Sequence, residues 1–342
     1  MSRSARIVAA VGAMGIAACG GRLQFQLELL EPDAADLPEH FVSPKDAGAS
    51  LDGPAPSEKE AAAEAAVVTC TRCSAYGEST ALGPIESPLI ELSGLAASRR
   101  HPGLVYAHND SGDSPRFFAL GKAGEIAAEI DLKGAAAVDW EDMAIGPCPS
   151  GSCVYLADIG DNGLIRKEYA IYRVPEPETL PTDGRTVSVD CERFPFVYPD
   201  GAHNAETLLV HPSTGRLFVV TKAGGVPATV YEMPLPLKPS QSTTLIRLTT
   251  ISLSAQAGVI TGGDFHPCSD RMLLRTYAAL YEFSNPPGAS IEALFEASPT
   301  QVPAMLEPVG EAVTYAVDGR GYFTASETVP GTTTMLNFTS CR

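Results

Sequence analysis

From about residue 76 onward the chain alternates short apolar runs with turns built on Gly, Pro, Asn and Asp. Runs this short, rich in Val, Leu, Phe and Tyr and bounded by turn residues, read as buried β-strands rather than helices. One phrase recurs five times: a polar or acidic start, an apolar strand, a Pro or Gly turn, and a second apolar strand ending in polar groups. Its copies open at Leu92-Ser93-Gly94-Leu95, Glu141-Asp142-Met143-Ala144, Asn204-Ala205-Glu206-Thr207, Thr261-Gly262-Gly263-Asp264 and Gly310-Glu311-Ala312-Val313. Their second strands end at His108-Asn109-Asp110, Asp158, Thr221-Lys222, Arg275-Thr276 and Ser326-Glu327. Every copy except the last is followed by two more strand-like runs. Four strands per unit at a period of about 50 residues is the pattern of propeller blades.

The expectation is therefore an all-β chain forming a single β-propeller over residues 67–342. The fifth unit ends one strand short, and residues 75–90 could supply the missing outer strand and close the ring. Five blades is the first choice. Six is the alternative, because the 64 residues from Asp142 to Glu206 leave room for irregular strands.

In such a blade the start of the first strand and the end of the second lie on one face, since the two form an antiparallel hairpin. His101, His211 and His266 sit in His-Pro turns between these strands and belong to the opposite face. The shared face collects acids and amides, with Asp264 expected among them. Asn109, Asp110, Asp113, Glu141, Asp142, Asp158 and Asp161 form a hard-oxygen donor set of the kind that suits Ca²⁺. The competing reading makes the same residues Asx turns and loop caps. Glu206, Lys222, Arg275 and Glu311 are the candidate catalytic groups, the two cations being suited to stabilising developing negative charge. Trp140, the one tryptophan, could stack on a ligand at the channel mouth or wedge between blades.

The first residues change the picture of where this fold works. Arg3 and Arg6 precede the apolar run Ile7 to Ala18, 12 residues and too short to span a bilayer. The run ends in Ile16-Ala17-Ala18-Cys19, which resembles the bacterial lipobox. On that resemblance residues 1–18 are a lipoprotein signal peptide and Cys19 carries the lipid; an ordinary secretory signal with Cys19 incidental is the alternative. Residues 19–66 follow as a tether poor in core-forming residues and rich in Ala, Pro and acids. The chain is then expected in the bacterial cell envelope, meeting the membrane only through its lipid, as a monomer. A net charge of −17 argues against nucleic acid as a partner.

Eight cysteines fit an oxidising compartment. Cys148 and Cys153 flank the turn sequence Pro149 to Ser152, so a bridge between them is geometrically easy. Ring closure would bring Cys70 or Cys73 near Cys341. A zinc half-site at Cys70 and Cys73 is disfavoured, because no second Cys or His pair follows. Of the seven cysteines after Cys19, an odd number, at least one stays free or pairs elsewhere.

Leu92-Ser93-Gly94-Leu95, His108 to Asp113, Asp158-Ile159-Gly160-Asp161-Asn162 and Gly310-Glu311-Ala312 resemble bacterial secreted β-propeller proteins of the phytase-like group, over about residues 90–330. The resemblance implies a propeller with calcium-binding capacity and a phosphoesterase role. Basic residues for a highly phosphorylated substrate are sparse here. Three classes stay open: a Ca²⁺-dependent phosphoesterase-like or esterase-like hydrolase; a non-catalytic propeller binding a ligand or protein with structural calcium; and a metal-free glycosidase using paired carboxylates such as Asp142 and Glu206.

Overall fold

The computed structural model describes residues 70–181, 184–222, 227–253 and 258–342. Residues 1–66, expected to be leader and tether, lie outside the described residues. Five sheets, antiparallel through their first four strands, follow one another around a central axis. Blade I starts at Leu92–Ala97, blade II at Trp140–Cys148, blade III at Ala205–Val210, blade IV at Ile260–Phe265 and blade V at Gly310–Tyr315. Each innermost strand lies beside those of the two neighbouring blades, and that of blade V lies beside that of blade I, so the ring closes at five.

Blade V is completed by the N-terminal strand Tyr76–Pro84, antiparallel to Met335–Cys341. That is the closure expected from residues 75–90. Cys73 is bonded to Cys341 across this seam, and Cys70 to Cys268 in the blade IV turn, a bond the sequence had not pointed to. Both partners of the disfavoured zinc half-site are thereby consumed. Cys148 and Cys153 are bonded across their hairpin, and Cys191 is the free thiol among the described residues.

The long connection between blades II and III holds no sixth blade. Thr186–Asp190 instead adds a fifth strand, parallel, to the outer edge of blade I, and the short Thr243–Thr244 does the same for blade II. The helical exception among the described residues is Ile291–Glu296 in blade IV.

The core is divided among five seams, one between each pair of adjacent blades. Each sheet is covered on both faces, which is why strands such as Leu217–Thr221 and Arg116–Leu120 carry apolar residues without strict alternation. Trp140 belongs to the seam between blades I and II, where its indole N–H donates to the Ala136 carbonyl at 3.0 Å. It acts as the wedge and does not stack at the mouth.

Candidate functional site: an acidic channel mouth

All five innermost strands break register with the second strand at the same point. The breaks fall between Leu92 and Gly94, Trp140 and Asp142, Ala205 and Thr207, Ile260 and Gly262, and Gly310 and Ala312. A β-bulge leaves one residue unpaired and re-aims its side chain. Here the unpaired residues form a ring of Ser93, Glu141, Glu206, Thr261 and Glu311. Ser93 donates to the Glu141 carbonyl and Thr261 to the Gly310 carbonyl, at 2.9 Å for the second, so these two hydroxyls tie neighbouring blades together. The three glutamates are left for the mouth, and all three are buried.

Above this ring stand residues from the ends of the second strands and the loops entering the blades: Asp110, Asp139, Lys222, Tyr277 and Glu327. Carboxylate oxygens of Asp110, Asp139 and Glu141 all lie within 4.8 Å of one another. Gly160 makes this convergence possible, because a Cβ there would run into the carboxylates of Glu141 and Asp139. Lys222 pairs with Glu206 at 2.6 Å, and its ammonium lies 5.3 Å from the centre of the Tyr277 ring. Arg166, the other nearby cation, is held by Asp158 at 2.8 Å and by the Gly160 carbonyl.

Charge crowding shows in the acidities. Burial, then repulsion from Asp139, Glu206 and Glu327, pushes Asp110 up to about 7. Burial and the adjoining Glu327 push Glu311 up to about 9, and one Glu311 oxygen has no hydrogen-bond partner. Burial and four neighbouring carboxylates drive Glu141 well above the usual range. Glu206 is raised by burial in spite of Lys222, whose own ammonium is held more firmly protonated by Glu206 against the opposing effect of burial. Clustered acids of this kind hold protons at neutral pH unless a cation replaces them.

Of the expected metal-binding residues, the structure brings Asp110 and Glu141 together and adds Asp139. The others are engaged elsewhere. The Asn109 side chain accepts from the Glu91 N–H and donates to the Pro88 carbonyl and to Asp113, which is also paired with Arg116 at 2.8 Å. Asp142 is buried below the mouth, accepting from the backbone N–H groups of Met143 and Leu208, the latter in the next blade. Asp158 accepts from the Asp139 N–H besides pairing with Arg166. Asp161 caps its loop, accepting from Ile165 N–H, Arg166 N–H and the Tyr169 hydroxyl. For Asn109 and Asp161 the loop-capping reading describes what the side chains do.

Of the expected catalytic groups, Glu206, Lys222 and Glu311 share the mouth. Arg275 does not. Its guanidinium runs between blades IV and V, donating to the Ala312 carbonyl at 3.0 Å and pairing with buried Glu307. Asp264 is a second correction: it points toward the opposite end of the channel, accepting from the Thr314 hydroxyl and the Tyr315 N–H. The set His266, Cys268 and Asp270 also lies close together, but Cys268 is disulfide-bonded, His266 accepts from the Cys268 N–H and Asp270 pairs with Arg72. The bulge ring was the feature that sequence reading missed. Its signal was present, since Ser93, Glu141, Glu206, Thr261 and Glu311 each occupy the same place in the five copies.

No protein-family model matches the chain, and no curated protein sequence does. Solved structures do align with it. One is a gluconolactonase from Xanthomonas campestris, 12% identical, covering 77% of this chain and 89% of that one with a TM-score of 0.46. Another is a protein from Bacteroides uniformis described as a candidate 6-phosphogluconolactonase, 15% identical, covering 71% of this chain and 69% of that one with a TM-score of 0.35. Likeness at this level bears on neither activity nor substrate.

Proposed function

We propose that this protein is an exported, lipid-anchored propeller whose acidic mouth binds Ca²⁺ and hydrolyses an ester, carboxylic or phosphoric. The observation that carries the reading is the convergence of Asp110, Asp139 and Glu141 over the side-chain-free Gly160. Hard carboxylate oxygens without thiol or imidazole among them fit Ca²⁺. The unpartnered buried oxygen of Glu311 fits as a further polar group awaiting a ligand. The phytase-like resemblance points the same way, and the lipobox-like Ile16 to Cys19 supports the anchor and the envelope location.

Asp110, Asp139 and Glu141 would hold the cation. When bound, Ca²⁺ supplies Lewis acidity toward the ester oxygen and acidifies a water. The chain's own groups divide the remaining work. Outside the cation set, the Glu206 carboxylate beside Lys222 is suited to take a proton from the attacking water. The water oxygen forms a bond to the carbonyl carbon or phosphorus, and the bond to the alcohol oxygen breaks. Glu311, still protonated at neutral pH, gives its proton to that departing oxygen. The Lys222 ammonium, fixed by Glu206, faces the negative charge that develops in between.

Thermal unfolding of the mature chain in millimolar Ca²⁺ and in excess chelator tests the cation. A ligand at 100 times its dissociation constant stabilises by about 2.7 kcal/mol, or roughly 5–10 °C for a domain of this size. The shift is expected to vanish in Asp139→Asn with Glu141→Gln. Ester turnover abolished by chelator and by Glu311→Gln, in a protein that still melts cooperatively, is the expected companion. No Ca²⁺ shift together with no turnover would leave a metal-free binding scaffold.

A further inference from the structure

Nine large apolar side chains are exposed among the described residues, and six of them sit on the mouth face: Ile90, Val138, Leu164, Ile165, Tyr277 and Leu306. Ile165 is 81% exposed and Leu306 92%. They stand on the loops entering the first strands or leaving the second ones, so they surround the carboxylates. Single exposed apolar residues need no explanation, but a collar of them around one mouth does.

Beside Leu306 the collar deepens into a pocket of about 150 Å³. Met305, Leu306, Pro308 and Met335 give it an apolar lining, completed by polar groups of Glu307, Ser326, Glu327, Asn337 and the 332–334 turn. A volume of this order accommodates a benzene ring. Glu327 lines this pocket and is also the neighbouring carboxylate that, after burial, raises Glu311, so a group seated in the pocket is held next to the acids of the mouth.

Charge narrows the class further. Lys222 and Arg166 are both committed to ion pairs, with Glu206 and Asp158. Asp110, Asp139, Glu141, Glu311 and Glu327 face the mouth without a basic partner of their own. With Lys222 and Arg166 already paired, neither is free to receive a substrate bearing several phosphates.

We propose that the pocket between the 305–308 loop and blade V binds a small apolar group, aryl or short alkyl, of an uncharged carboxylic ester whose ester bond lies at the acidic mouth. The reaction assignment rests on the hydrolytic reading above; the pocket does not. Hydrolysis adds water across the acyl–oxygen bond and releases the carboxylic acid and the alcohol, with no further reactant.

The probe is 4-phenyl-2-butanone, the ketone counterpart of benzyl acetate, titrated into the Ca²⁺-equilibrated mature chain carrying ¹³C-labelled methionine methyls. Saturable shifts of the Met305 and Met335 methyl signals are expected. Binding should weaken at least fivefold in Thr333→Trp, which fills the pocket from its exposed rim, and in Leu306→Asp. Benzyl acetate should be hydrolysed in preference to p-nitrophenyl phosphate, with KM raised in both variants. Binding that leaves Met305 and Met335 unmoved, or that is indifferent to both variants, overturns the pocket. Methionine shifts and variant effects without any ester turnover support the pocket and overturn the hydrolytic reading instead.

Discussion

Replacing Arg275 with Met separates a structural arginine from a catalytic one. The side chains of Arg275 and Glu307 are 3% and 5% exposed, and Glu307 also accepts from the Thr324 hydroxyl at 3.2 Å and the Asn337 amide at 2.7 Å. The substitution leaves the Glu307 carboxylate buried without its countercharge and the Ala312 carbonyl without its donor. Removing one partner of a buried pair typically costs about 3–5 kcal/mol. At about 2–4 °C per kcal/mol, the melting temperature should fall by roughly 6–20 °C. Circular dichroism melts and urea titrations of the metal-free chain measure this directly. The double variant Arg275→Met with Glu307→Gln removes both charges and should recover at least half of the loss, the coupling expected of residues in contact. An Arg275→Met protein as stable as the parent, yet without Ca²⁺ response or turnover, would refute the placement of this side chain between blades and return it to the mouth.

The remaining predictions concern the carboxylates. Glu311 is raised from 4.5 to about 9, so the folded chain retains a proton that the unfolded chain releases. The associated stability is complete below about 4.5 and is lost as pH rises toward 9, so in chelator the melting temperature should fall between pH 5 and 9. Glu311→Gln should flatten that slope, and a melting temperature that climbs with pH over this interval would contradict the crowding described at the mouth. Gly160→Ala should fold normally, since the added methyl meets the movable ends of the Asp139 and Glu141 side chains. Its Ca²⁺-induced stabilisation should be lost, and a full shift in calorimetric melts would mean that those two carboxylates do not act as a unit.

The alternation of short apolar runs with Gly- and Pro-bearing turns was sufficient to recognise propeller blades and to favour five over six, because a sheet covered on both faces leaves a local mark in every strand. The same holds for the closing strand near residue 80 and for the Cys148–Cys153 hairpin, where partner and turn are adjacent in sequence or implied by the repeat count. The outer parallel strand Thr186–Asp190 was not legible, since its partner Ile126–Lys133 lies across a whole blade. Cys70 and Cys268 are likewise 198 residues apart and meet only once the ring has closed.

At the mouth the division is sharper. Residue identity alone placed Asp110, Glu141, Glu206, Lys222 and Glu311 on one face, because hairpin geometry decides which end of a strand a residue occupies. It could not decide which carboxylates stay free. Asp113, Asp142, Asp158 and Asp161 carry the same chemistry as Asp110, and they differ in having an arginine or more than one N–H or O–H donor within reach, where Asp110 accepts from the adjoining Ser111 N–H. The Leu208 N–H comes from the next blade, while Arg116, Ile165 and Arg166 are near in sequence, and even there a hydrogen bond depends on ångström-scale distances that residue spacing alone does not encode. The sequence by itself determined an acidic face on a propeller, and ring closure in the structure fixed its blades at five. The tertiary structure decided that Asp110, Asp139 and Glu141 converge over Gly160 while Arg275 is withdrawn into the seam between blades IV and V.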